Sequence, residues 1–141
     1  VTQSFFAAGA APRPVAASYE PGVCNIGPAE IARRRRAGHV GVIATIGLLA
    51  ILLVLDTPPA ARLLLVIPAA VAASGYLQAW LRFCAGFGSR GIVNFGPLGE
   101  SESVVDPEAR ARDRRRARQI GLASLAVGVV VGVATAIAPL P

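Results

Sequence analysis

Gly38-His39-Val40-Gly41-Val42-Ile43-Ala44-Thr45-Ile46-Gly47-Leu48-Leu49-Ala50-Ile51-Leu52-Leu53-Val54-Leu55 carries no charged side chain, and only His39 and Thr45 are polar. At 1.5 Å per residue a helix of this length covers roughly 27 Å, close to the hydrocarbon thickness of a bilayer. The stretch predicts a membrane-crossing helix. Asp56-Thr57-Pro58-Pro59 follows and stops it, because proline has no amide donor and turns the preceding residue away from helical geometry. A hairpin turn is expected there. A second apolar stretch covers residues 60–81, with Arg62 at its start, where its stem lets the charge snorkel, and Tyr76, Gln78 and Trp80 near its end. Amphipathic rings favour that interfacial depth. Pro68 within the stretch predicts a kink.

The third apolar stretch, residues 120–140, is mostly Gly, Ala, Val and Leu, without a charge. Upstream, Asp106 suits an N-cap, Pro107 the first helical position and Glu108 the positive end of the helix dipole. One helix is therefore expected from Pro107 through the third stretch. The fold class is an all-α membrane protein with three transmembrane helices at about 38–55, 60–81 and 120–140. Composition points the same way: 54% of residues are hydrophobic and 16% charged, against roughly 25% charged in soluble domains. An ordinary soluble enzyme is excluded on that ground. Three buried helices of a soluble domain would need polar-faced elements to cover them, and the sequence offers none.

All fourteen basic residues are arginine, and their distribution predicts orientation. Arg13 and Arg33 to Arg36 precede the first span; Arg82, Arg90, Arg110, Arg112, Arg114, Arg115, Arg116 and Arg118 lie between the second and third; Arg62 alone lies in the first outer loop. By the positive-inside rule the N-terminus is cytoplasmic and the C-terminus outside, in a multi-pass protein of the bacterial inner (plasma) membrane. Clustered arginines also neutralise nucleic-acid phosphates. Both clusters abut a span and lack interleaved aromatics, however, so anionic lipid headgroups are the expected partner and nucleic acid is not.

The domain organisation reads as a flexible arm over residues 1–23, whose Phe5, Phe6 and Tyr19 can dock on a partner or on the membrane surface. A two-span hairpin with its entry and exit motifs covers 24–95, a mobile cytoplasmic loop 96–106, and a basic helix continuing into the third span 107–141. Phe5 to Ala11 is too short for a secretory signal and lacks a basic region before it. Methionine is absent, so Val1 is expected to mark an alternative start codon or a trimmed N-terminus.

Two motifs flank the hairpin. Cys24-Asn25-Ile26-Gly27-Pro28-Ala29-Glu30-Ile31-Ala32-Arg33-Arg34 precedes it, with Gly27 as helix cap, Pro28 at the first position and Glu30 four residues before Arg34, the favourable order for an ion pair. Helix and span either run on or meet at a bend near Gly38. Arg82-Phe83-Cys84-Ala85-Gly86-Phe87-Gly88-Ser89-Arg90-Gly91 follows the second span, and its glycines predict an irregular re-entry loop. Asn25, Gly27, Glu30, Arg34 and Gly38, then Cys84, Phe87 and Gly91 after a hairpin, resemble the YgaP-like transmembrane domain, a small bacterial inner-membrane hairpin. The resemblance covers about residues 24–94. It departs at Ile31, where an arginine is common, at Ala85 in place of proline, and at Phe87 in place of tyrosine. That family occurs alone or fused to a rhodanese sulfurtransferase module, so the resemblance implies a link to sulfur or thiol chemistry. The third span is an addition to the family pattern.

Cys24 and Cys84 are the candidate thiols, on one predicted side of the membrane with arginines nearby, the setting of reactive cysteines. The plain alternative is that both are packing residues in a reducing compartment. Together with His39 they make only three soft ligands without metal-site spacing, so neither metal nor cofactor is expected. His39 suits an interfacial hydrogen bond better than a haem. No Ser/His/Asp set or carboxylate pair is readable, and no charge at mid-membrane depth marks a transport path. Ser124, Gly128, Gly132 and Ala136 recur every four residues and line one helix face with small side chains, a surface for close packing within the chain, against a second copy or against another membrane protein. The expected function is a non-catalytic accessory or scaffold subunit with a membrane-protein partner or a homo-oligomeric state; the alternative is a thiol- or sulfur-handling membrane protein.

Overall fold

The computed structural model describes residues 18–141; Phe5, Phe6 and Arg13 lie outside the described residues. Three helices are long and apolar enough to cross a membrane. The first, α1, runs from Pro28 to Val54 without interruption, with Gly27 as N-cap, Pro28 in the first turn and Glu30 at the positive end of the dipole. It passes straight through Gly38, so motif and apolar stretch form one rod. Asp56 takes a left-handed conformation (φ 48°) just past the end of α1, and the Thr57 hydroxyl donates to the Leu52 carbonyl at 2.9 Å. That closes the turn.

The second apolar stretch divides into a 3-10 segment, Pro59–Leu65, and a helix α2, Val66–Leu81. Pro68, where the sequence predicts a kink, follows the change from 3-10 to α geometry by two residues. It stands in the first turn of α2, where an amide has no intrahelical acceptor and its loss costs nothing. Arg82 ends α2 in the left-handed region (φ 53°). A short helix α3, Ala85–Arg90, and a strand β1, Ile92–Val93, then occupy the region expected to be irregular. The expected mobile loop 96–106 also contains order, because β2, Glu102–Ser103, pairs antiparallel with β1 in the register Ile92↔Ser103 and Val93↔Glu102. Buried Val93, Val104 and Ala109 supply the apolar contact that fixes it. The last helix, α4, spans Pro107–Ile137, with the Asp106 carboxylate accepting from the amides of Glu108 and Ala109, both at 3.2 Å.

α2 lies in the middle, with α1 on one flank and α4 on the other. Small residues set both contacts. A Cβ on Gly41 would lie 2.5 Å from the Ala72 amide nitrogen, and one on Gly75 2.7 Å from the Arg34 carbonyl oxygen. On the α4 flank, a Cβ on Gly128 would lie 2.5 Å from the Val66 carbonyl oxygen, and one on Gly132 equally close to the Val66 side chain. Ser124, Gly128 and Gly132 are buried and Ala136 half-buried, so the small-residue face is used within the chain, against α2. Close backbone approach of this kind is what small side chains allow between apolar helices.

Because α1 and α4 start at one end of the bundle and α2 finishes there, Arg33 to Arg36, Arg82, Arg90 and Arg110 to Arg118 share that end. It is called the basic end below. At the opposite end Arg62 does not reach outward as expected. It is 5% exposed, and its guanidinium donates to the carbonyls of Thr135 at 3.1 Å and Ala138 at 3.3 Å. Cation and helix C-terminus attract through the dipole and the last unpaired carbonyls.

Candidate functional site at the basic end

The basic end is tied by a set of buried polar side chains. Asn25 is fully buried; its Nδ2 donates to the Cys84 carbonyl at 3.1 Å and its Oδ1 accepts from the Cys84 amide at 2.6 Å. Its own amide donates to the Arg82 carbonyl at 3.1 Å, and its carbonyl accepts from Asn94 at the same distance. The extended segment before α1 is thus stitched between the end of α2 and the strand after α3. Gly27 continues the seam: its amide donates to the Asn94 carbonyl at 2.8 Å, and an added Cβ would stand 2.8 Å from the Phe95 carbonyl oxygen. Only a residue without a side chain fits.

Glu30 is 1% exposed, so its carboxylate needs partners. Arg33 Nε stands 3.3 Å and Arg34 Nη2 3.6 Å from its Oε2, while Asn94 Nδ2 donates to Oε1 at 3.4 Å. The expected Glu30–Arg34 pair is therefore present as part of a larger cluster. Arg34 reaches further: Nη2 donates to Cys84 Sγ at 2.8 Å, and the guanidinium lies 5.8 Å from the centre of the Phe87 ring. Arg90 approaches the same ring at 5.7 Å, both within cation–π range. Phe87 in turn packs with Ile26 and Cys84, and Ile31 covers this cluster from α1.

Cys84 is the N-cap of α3, its sulfur accepting from the Phe87 amide at 3.4 Å. The sulfur therefore sits between a guanidinium and a main-chain donor, buried at 1% exposure. Cys24 is half-buried and directs its own sulfur toward the Ile26 carbonyl at 3.8 Å. Both cysteines are free thiols. Gly91 takes a left-handed conformation (φ 69°) as the C-cap of α3, and Gly38 lies against the Tyr76 ring. Next to Gly38, His39 Nδ1 and the Tyr76 hydroxyl are 2.6 Å apart, an interhelical hydrogen bond between α1 and α2. Ala85 has a local reason: its amide donates to Gln78 Oε1 at 2.9 Å, a bond that proline would delete.

A second tie joins residues 18–24 to α4. Asp113 is fully buried; its Oδ2 accepts from the Tyr19 hydroxyl and its Oδ1 from the Gly22 amide, both at 2.7 Å. Burial first, then the hydrogen bond to Asp113 and the negative charge of that carboxylate, hold the Tyr19 phenol well above its ordinary range. The expected arm is therefore anchored from Tyr19 onward. Asn94, Gln78 and Asp113 were not among the site residues read from sequence. Asp113 did carry a signal, as the one acid inside the arginine run from Arg110 to Arg118; Asn94 carried none, because its partner Glu30 is 64 residues away, and Gln78 none, because its bond to the Ala85 amide depends on the turn that ends α2. Among the described residues no group of three or more His, Cys, Asp or Glu could hold a metal ion. Comparison with family models, with curated proteins and with solved structures finds no match to this chain.

Proposed function

We propose that this chain is a small integral protein of the bacterial inner membrane, N-terminus in the cytoplasm and C-terminus outside, that acts as a non-catalytic accessory or scaffold subunit. One observation carries the reading: the buried polar groups at the basic end bind one another, while an apolar belt and a crown of arginines face outward. Between 17% and 28% of the most apolar window of each long helix is buried within the chain, so most of that surface needs lipid or another protein to cover it. Above the belt, Arg35, Arg36, Arg114, Arg115 and Arg118 are exposed, suited to anionic headgroups and to the cytoplasmic side. Extraction of native membranes with a mild detergent, followed by identification of what stays bound, tests the scaffold role. A stoichiometric membrane-protein companion is the expected result, and recovery of the chain alone would overturn it.

The Arg34–Cys84 hydrogen bond favours a second reading, in which Cys84 handles sulfur and Arg34 orients the thiol. The resemblance to the YgaP-like hairpin supports the same chemistry. Cys84→Ser and Cys24→Ser variants, checked for membrane insertion, separate the two functions. Loss of a sulfur-dependent phenotype with Cys84→Ser alone supports this second reading; growth and sulfur use unchanged in both variants exclude it.

A further inference from the structure

A cleft of about 430 Å³ runs between α1 and α4, with α2 as its floor. Its lining changes along its length. Arg34, Gln78 and Ser74 lie toward the basic end, and Ala70, Val71 and Leu125 lie deeper in the bundle. Arg34 brings a guanidinium to the polar end, and Ser74 a hydroxyl whose hydrogen has no acceptor among the described residues. Ser74 Oγ accepts from Gln78 Nε2 at 2.8 Å, which leaves the hydroxyl hydrogen to donate elsewhere. Arg118 precedes the cleft residue Gly121 by one turn of α4, and Arg33 precedes Arg34 on α1, both exposed. A guanidinium beside a free hydroxyl hydrogen suits an oxygen-bearing, negatively charged occupant.

We infer that this cleft binds one anionic phospholipid, with its phosphate and ester oxygens at Arg34 and Ser74, the crown arginines above them, and an acyl chain along Ala70, Val71 and Leu125. The inference rests on the membrane reading given above. It goes further, because general attraction of arginines to a bilayer surface requires neither a cleft nor a donor inside one. A helix from a second copy would match the apolar half and offer no anionic oxygen to Arg34 and Ser74. A free phosphate would match the donors and leave the apolar half in contact with water.

The test uses the full chain in mild detergent, with phosphatidylglycerol or phosphatidylcholine added and the retained lipid read by native mass spectrometry. One phosphatidylglycerol per chain is expected, preferred about tenfold over phosphatidylcholine, equivalent to roughly 1.4 kcal/mol. Gly121→Leu should abolish that preference by filling the cleft. A Cβ at Gly121 meets nothing within 4 Å, so the substitution leaves the fold intact. Ala37→Leu, on the α1 wall, should do the same. Gly47→Leu, equally open but remote from the cleft, should leave retention unchanged. Equal retention of both lipids, or undiminished retention by both cleft variants, overturns the proposal. So does displacement of the lipid by inorganic phosphate, or a dimer that dissociates in Gly121→Leu. Alkaline carbonate washing of the host membranes separates the two failures. A chain released by the wash refutes the membrane reading itself, while a chain that stays behind and shows no lipid preference refutes the lipid site alone.

Discussion

The carboxamide of Asn25 forms a two-bond ring with the main chain of Cys84, donating to its carbonyl at 3.1 Å and accepting from its amide at 2.6 Å. Side chain and backbone thus substitute for a strand pair between segments 59 residues apart. The ring fixes where α3 starts, and through it where the Cys84 sulfur meets Arg34. Asn25→Ala leaves the buried Cys84 amide without a partner, at a cost of about 1–3 kcal/mol, while the Cys84 carbonyl keeps its bond from the Gly88 amide. Thermal unfolding followed by circular dichroism should show a lowered midpoint. Asn25→Asp should also destabilise, since a carboxylate cannot donate to the Cys84 carbonyl.

The Tyr19–Asp113 contact makes the attachment of residues 18–24 depend on alkaline pH. A phenol held above its ordinary value keeps its proton more tightly folded than unfolded. The stabilisation is therefore complete below the unfolded tyrosine value of about 10 and is lost as pH rises through the higher folded value. Tyrosinate absorbance followed across that alkaline window should show one phenol titrating late in the natural chain. Tyr19→Phe removes both the hydrogen bond and the titration, so the late absorbance step should vanish and the thermal midpoint at neutral pH should fall.

Arg62 gives a prediction at the other end. Its two bonds to Thr135 and Ala138 tie the turn between α1 and α2 to the end of α4. Arg62→Gln keeps some hydrogen-bonding capacity and loses the charge–dipole attraction, which contributes up to about 2 kcal/mol in a partly buried site. Hydrogen exchange should speed up across the last turn of α4 and leave the basic end unchanged. Arg62→Lys should be intermediate, because one ammonium lacks the planar fork.

The three apolar rods were legible because each is a long run without charge, and the caps at Gly27, Asp106 and Pro107 marked where two of them begin. Local chemistry reads directly from sequence when cause and effect lie within a turn of each other. Arg62 misled for the opposite reason. Its partners are 73 and 76 residues away, so an arginine near a helix end read as snorkelling outward when it turns inward. The ribbon of Ile92–Val93 with Glu102–Ser103 was hidden by its length, since two-residue strands show no alternation to detect. Asn25 and Gly27 were visible as a motif, but the strand-like seam that they form with Asn94 depended on a topology that spacing alone does not fix.

The glycines of α1 separate packing from helix propensity in one experiment. Gly41 and Gly47 occupy the same helix six residues apart, yet a Cβ on Gly41 would stand 2.5 Å from the Ala72 amide nitrogen while one on Gly47 meets nothing within 4 Å. Propensity alone favours alanine over glycine at both positions by about 0.8–1.0 kcal/mol. Overpacking against backbone costs about 1–3 kcal/mol, since an α2 main-chain atom cannot rotate out of the way. Gly47→Ala should therefore raise the thermal midpoint slightly and Gly41→Ala should lower it. Gly75→Ala, which would push against the Arg34 carbonyl from the other helix, should lower it as well. Combining Gly41→Ala with Gly75→Ala should cost less than the sum of the two, because a single outward shift of α1 relieves both collisions. Additive losses would show that the two crossings yield independently, and that α1 and α2 do not move as rigid rods.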